Sequence, residues 1–488
     1  MTRAERKAPR QTAACVSVAL TILIVVAFTV LIIVLGRSDN ASPAVFSERW
    51  LRRLPAHRRI DGSGASPFRY GVAGARLQRV LPQSVAAAAA AAAAAPSLAD
   101  VSELFVMRPE CEGGSELSAY AWLWGQFIDH TLTDTNGTDD TNRETPLLDG
   151  SVVYTHDAAA LRALRDGARM RTNGTLLTGW PRFEAGDHRR DVHALLLAMH
   201  TAWVREHNWW VERLQRDGIG GGDDLLFESA RAMVVGEIQA ITYHEWLPRI
   251  VGRRRATAYA PRRFDAMIRP AISTEFATAC YRYGHSQVAQ RTGGLDLVES
   301  FRRGTDVVRA HGIEPLLQAA VHERAERVDT CIVDALRTTQ NFTMPTLNVM
   351  RGRQRHLAPY AAFRRAWNAG TAEPTTWYDV TDVHAAWRLE RVYGTDPMAA
   401  HVDAYVGMLA ERADDDDDDA ALGVTLAECV AEQFQRVAEG DAYYYAWAPP
   451  SDEVLARYRA EVHATRLGVV LARTASVVTH DAFSYTAV

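Results

Sequence analysis

Leu117-Ser118-Ala119-Tyr120-Ala121-Trp122-Leu123-Trp124-Gly125-Gln126-Phe127-Ile128-Asp129-His130-Thr131-Leu132 is the stretch on which the fold turns. Its apolar residues recur at three and four spacing, which predicts a helix with one buried side. Gln126 and His130 stand four apart and share a face. Asp129 points about 100° away from His130. Imidazole titrates near neutrality, so a histidine beside an amide can serve as an acid–base pair.

The same periodicity continues outward over Asp191–Asp217, Asp224–Pro248 and Leu316–Thr339. Alternating strand patterns are short and rare, and no internal repeat of 20–50 residues is visible. The expectation is a mainly α protein with one large domain over 57–488. Ala86–Ala95, ten alanines closed by Pro96, favours helix but offers no amphipathic face, and reads as a surface insertion. Asp414–Asp419, six aspartates in a row, reads as a solvated loop.

Hydrophobic residues make up 48% and charged residues 23% of 488, enough for a sizeable core. The net charge of -5 argues against nucleic acid as a partner, which favours a concentrated basic face. Cysteines number five: Cys15, Cys111, Cys280, Cys331 and Cys429. No C-x-x-C pair exists, which argues against a zinc ribbon or thioredoxin-type site. Cys15 lies in an apolar run, leaving at most two disulfides among the other four. Cys280 and Cys429 sit in apolar helical contexts, where a buried free thiol is expected.

Arg3, Arg6, Lys7 and Arg10 precede an uncharged apolar run, Ala13–Leu35, long enough to span a bilayer as a helix. Residues 1–12 read as a cytoplasmic basic tail, 13–35 as a transmembrane signal anchor and 36–56 as a stalk. The remaining chain is then lumenal or extracellular. Sequons at Asn40, Asn136, Asn173 and Asn341 agree with that side.

Three further motifs follow Trp124–His130 in order. They are Gly186-Asp187-His188-Arg189, Arg282-Tyr283-Gly284-His285 and Leu347-Asn348-Val349-Met350-Arg351, and Gln433–Asp441 closes the series. Together these resemble the animal haem peroxidase family over most of the chain after residue 57. The resemblance implies haem b as cofactor, with His130 as distal histidine, Gln126 as distal glutamine and Arg189 as distal arginine. It implies His285 as proximal iron ligand, and Asn348 as acceptor from that ligand's other ring nitrogen. Arg282 and Arg351 would lie near the haem propionates. The implied activity is reduction of hydrogen peroxide, with oxidation of a halide or small organic donor through an oxoferryl intermediate.

Two departures bear on that expectation. The family often ties its haem through two carboxylates. Asp129 matches the first, but Val192 stands at the second, with Asp191 adjacent, so at most one ester is expected. The family also carries a calcium loop, matched by Thr145, Leu147, Asp149 and Ser151. The aspartate expected after the distal histidine is Thr131, which weakens a hard-cation site.

Other readings were a catalytically degenerate adhesion or assembly module, and the related fatty-acid dioxygenases. The latter carry a tyrosine where Arg282 stands. His244-Glu245 and His322-Glu323 begin like a zinc-hydrolase motif but lack its second histidine.

Overall fold

The computed structural model describes residues 42–487, apart from 83, 112, 136–138, 339–342, 369–370 and 414–419. The basic tail, the apolar run with Cys15, three of the four sequons and the aspartate run lie outside these residues. Among the described residues, no helix is long and apolar enough to cross a membrane. The chain divides into two compact units, Met1–Trp50 and Leu51–Val488. In the first, the helix Pro43–Leu51 begins.

The second unit is helical, with three two-stranded antiparallel hairpins among the described residues. Five helices build the core around the site or line it. They are α1 (Tyr120–Leu132), α2 (Ala194–Arg216), α3 (Asp223–Ile241), α4 (Met344–Gln354) and α5 (Val424–Glu439). α1 is buried along nearly its whole length, and Trp124 and Phe127 pack against Trp203 of α2. Each such aromatic buries a large apolar area, which makes this the anchor of the core.

Helix boundaries depart from expectation where another partner claims the backbone. Leu117–Ala119 stay out of α1 because they pair with Glu323–Ala325: Ala119 N–H donates to Glu323 O (2.8 Å) and Ala325 N–H to Leu117 O (2.9 Å). That pairing also breaks the expected helix Leu316–Thr339, which is helical only over Glu314–Val321 and again over Asp334–Thr338. Buried backbone groups must find partners somewhere, and these find them across the chain. The expected Asp191–Asp217 helix starts three residues late, because Asp191 and Val192 belong to a turn and His193 caps α2. α3 ends at Ile241 and opens into a π-helical turn, Thr242–Trp246, ahead of Pro248. Proline lacks the N–H that would close a regular turn there.

The thiol expectation is overturned. Cys280 bonds to Cys429 and Cys111 to Cys331. Apolar surroundings bury a disulfide as readily as a thiol, and only the tertiary approach of α5 to residue 280 brings the two sulfurs together. The alanine run forms a helix, Val85–Ala94, capped by Ser84. Ala88 is buried and Ala91 half-buried, on the α4 side near Val349 and Tyr405.

Candidate functional site

α1, the turn before α2, the segment 277–288 and α4 enclose a cavity of about 360 Å3. Gln126, Asp129, His130, Arg189, Arg282, His285, Asn348 and Arg351 all line it, as expected from sequence.

Around His130 the wall is built from charge. Its Nδ1 lies 3.5 Å from Asp187 Oδ1. Burial, with Arg189 adding to it, keeps the ring well below the usual histidine range and therefore neutral. A carboxylate facing Nδ1 favours the proton there, which leaves Nε2 as the basic nitrogen. Asp187 also grips Arg189: Nε donates to it at 3.1 Å and Nη2 at 2.6 Å. The same guanidinium donates to Thr133 O (2.6 Å) and His130 O (3.0 Å), so it is held rigidly with most of its donors already used. Gly186 makes this possible. A Cβ there would sit 2.4 Å from the Val153 carbonyl carbon, so only glycine lets the two backbones meet and present Asp187.

His193 was not singled out from sequence. Its Nδ1 accepts the Leu196 N–H (3.2 Å) as the α2 cap, and its Nε2 lies 2.9 Å from Gln126 Oε1. The proton must then be on Nε2, donated to Gln126, and the amide NH2 is the end left for the cavity. Burial lowers His193 to about 3, so this arrangement persists through ordinary pH.

His285 follows a 3-10 turn, Cys280–Tyr283, tied to α5 by the Cys280–Cys429 disulfide. Burial, then Arg282 and Arg351, depress it to about 3, so its ring keeps a lone pair for a metal. The Asn348 amide lies 2.8 Å from His285 Nδ1. In this rotamer Nδ2 faces the ring and the buried Oδ1 has no donor. Turning the planar amide over satisfies both: Oδ1 accepts from Nδ1–H, and Nε2 is freed to ligate. Arg351 has no partner among the described residues. Burial, Arg282 and Arg355 all disfavour its charge, as expected of a guanidinium waiting for an anion. Arg355, on the same wall, was not anticipated. Asp129 accepts from Thr133 Oγ1 (2.7 Å) and pairs with Arg282 (3.3 Å).

An unsatisfied Asn348 oxygen beside a neutral histidine, together with Arg351, which has no anion among the described residues, and Arg282 on the same wall, fits a haem with its iron and two carboxylates. The second ester site does not fit. Val192 lines the cavity, while Asp191 Oδ1 is engaged by Thr305 N–H at 2.7 Å. The calcium loop fits poorly too. Thr131, Thr145, Asp149 and Ser151 do converge, since Ser151 Oγ reaches Thr131 O at 3.3 Å. However, Asp149 is already satisfied by Thr145 Oγ1 (2.6 Å) and Ser151 N–H (3.0 Å), and the Arg58 cation acts on it. Among the described residues, no cluster of three or more His, Cys, Asp or Glu could hold a metal.

The animal haem peroxidase model matches residues 135–483, a stretch that contains Arg189, His285 and Asn348. The chain belongs to the animal haem peroxidase family. Similar curated proteins include a Drosophila melanogaster chorion peroxidase, 28% identical over 62% of this chain and 42% of its own length. Another is a human peroxidasin homologue, 29% identical over 62% of this chain and 24% of its own. The chain thus spans less than half of these relatives. Among solved structures, peroxidase A of Dictyostelium discoideum matches with a TM-score of 0.73. It is 22% identical and covers 88% of this chain and 99% of that one. An Arabidopsis thaliana fatty acid alpha-dioxygenase matches at 0.70, with 18% identity over 91% and 88%. At these identities the structures share the fold.

Proposed function

We propose that this chain is a haem peroxidase that reduces hydrogen peroxide in the cavity while oxidising a halide or a small organic donor. One observation carries this reading: two neutral histidines, His130 buried and His285 half-buried, line the same cavity in differently built settings. His130 faces a carboxylate and a guanidinium, which suits proton movement. His285 faces an amide, which suits ligation.

When bound, haem supplies the electrons that break the peroxide O–O bond. The chain's own residues do the rest. His285 would hold the iron through Nε2, with Asn348 accepting from Nδ1–H. Arg351 and Arg282 would neutralise the carboxylates. His130 Nε2 takes a proton from one peroxide oxygen and returns it to the other. Arg189, fixed by Asp187, favours negative charge on the departing oxygen. The Gln126 NH2 holds the peroxide or the water that replaces it. Asp129, which matches the family's first esterifying carboxylate, would be the attachment point for an ester. The loop at Asp149, with one carboxylate, would hold calcium only weakly.

This reading places the domain on the lumenal or extracellular side of a membrane, with Ala13–Leu35 as anchor. The two disulfides suit an oxidising compartment. Asn173 is exposed in the Thr172–Leu177 hairpin, open to glycosylation.

The test is the absorption spectrum of the full chain loaded with haem, before and after hydrogen peroxide. A Soret band that shifts with peroxide and is absent in His285→Ala supports the reading. Well-folded protein with no Soret band would leave the degenerate assembly module as the better account.

A further inference from the structure

Tyr445 lies outside the machinery above, yet its surroundings equip it to lose a proton. Its phenol oxygen is 2.8 Å from His244 Nε2 and 2.7 Å from His463 Nδ1. One hydroxyl hydrogen serves one ring only, so one imidazole accepts from the phenol while the other donates to it. Tyr445 itself is 2% exposed, but both histidines are at the surface. His244 sits on the π-helical turn, and that turn borders an open groove of about 610 Å3 that Tyr243 also lines. Burial holds His244 at about 4, so its ring is neutral.

Inward from Tyr445, rings succeed one another to the haem cavity. Centroid separations are 5.0 Å to Tyr444, then 5.3 Å to Tyr243, 6.1 Å to Phe434 and 5.9 Å to Tyr281, which lines the cavity. A phenol that loses an electron becomes strongly acidic, so the vacancy settles where a base takes the proton. Tyr281 donates to Gly125 O and Tyr243 to Phe434 O, and backbone carbonyls are poor bases. Among the described residues, Tyr445 is the one phenol of this series bonded to an imidazole.

We infer that Tyr445 is a second oxidation site, at which a phenolic donor too large for the cavity gives up electrons that travel inward through Tyr444, Tyr243 and Tyr281. This rests on the peroxidase reading. In each step one electron leaves Tyr445 for the peroxide-oxidised haem centre, and the phenolic proton moves to a flanking imidazole. A donor phenol in the groove then returns one electron and releases its own proton to solvent, and the imidazole hands the phenolic proton back, which restores Tyr445. Two such steps account for one peroxide: two donor phenols become two phenoxyl radicals, and H2O2 with two protons and two electrons becomes two waters.

The experiment uses the haem-loaded full chain mixed with peroxide. Freeze-quench EPR and nitroso spin-trapping with peptide mapping locate any protein radical. Oxidation rates are followed for p-cresol and for a phenol grafted onto dextran. The expected result is a tyrosyl radical trapped at Tyr445 in the unaltered chain. In Tyr445→Phe, the peroxide-induced Soret shift and p-cresol oxidation are retained, while oxidation of the grafted phenol is lost. A Soret response with no radical at Tyr445, or grafted phenol oxidised equally by the variant, overturns the inference but leaves the peroxidase reading intact. Absence of any Soret response overturns both. Trapping in the unaltered chain needs no variant, so the test stands even if Tyr445→Phe does not fold.

Discussion

His193 donates its Nε2–H to Gln126 Oε1 across 2.9 Å, and so decides which end of the Gln126 amide meets the cavity. His193 can do this only because the α2 cap takes its other nitrogen. Replacing His193 with Phe frees the amide to rotate. Fluoride binding to the ferric haem protein, read from the Soret band, should weaken by about 1 kcal/mol, one hydrogen bond's worth. His193→Gln, which keeps a donor, should recover part of it. Equal fluoride affinity in all three proteins would show that Gln126 is oriented by something else.

Asn348 should control how firmly iron is held without itself touching it. In Asn348→Leu the His285 ring loses its orienting acceptor, and haem affinity should fall about 10-fold to 100-fold. Haem transfer to apomyoglobin measures this. Wild-type retention in the variant would mean that Nδ1–H is satisfied some other way.

Gly186→Ala puts a methyl against the Val153 carbonyl, which cannot move without shifting the chain. Overpacking of this kind costs about 1–3 kcal/mol. It should also displace Asp187 and Arg189, so peroxide reactivity should drop more than thermal stability does. Stopped-flow rates beside a melting curve check both, and a variant with a lower melting point but the wild-type peroxide rate contradicts the close-approach argument.

Acidification should unfold the domain through buried neutral histidines. Burial lowers His193 and His207 to about 3 and His200 to about 4, against 6.5 for an unfolded ring. As pH falls below 6.5 the unfolded chain binds protons that the native chain refuses. The stability they contribute is complete above 6.5 and is lost progressively towards 4 and 3, by up to about 1.4 kcal/mol per pH unit for each ring. Burial raises Glu245 and Asp329 to about 7, which opposes this trend, so the histidine share is read by difference. Between about pH 7 and pH 5 the urea midpoint should fall more steeply in the unaltered chain than in His207→Gln, and parallel profiles would refute the neutral assignment.

With Val192 at the second position, the proposed covalent attachment rests on Asp129. Acid–acetone extraction after peroxide cycling should show at most one bond, removed by Asp129→Ala. Val192→Glu should increase the fraction retained, since its side chain starts from the cavity wall. Haem still bound after extraction of Asp129→Ala would point to another link.

Much of the site was legible because its chemistry is carried by short motifs. Trp124–His130 needed only helical spacing to put Gln126 and His130 on one face. The order of the histidine, arginine and asparagine motifs then identified the family. His193 and Arg355 escaped notice because neither belongs to a short-range pattern. Their roles exist only once α2 meets α1 and α4 closes the cavity.

The sequence by itself determined the helical class, the family and the residue types of the site, because periodicity and motif spacing are local properties. Tertiary structure alone decided the pairing Cys280–Cys429 and the break after Val321. It also decided which nitrogen of His130 and of His193 is basic. Each of these depends on a partner remote in the chain, and a remote partner is chosen by packing and by the need of buried polar groups for hydrogen bonds.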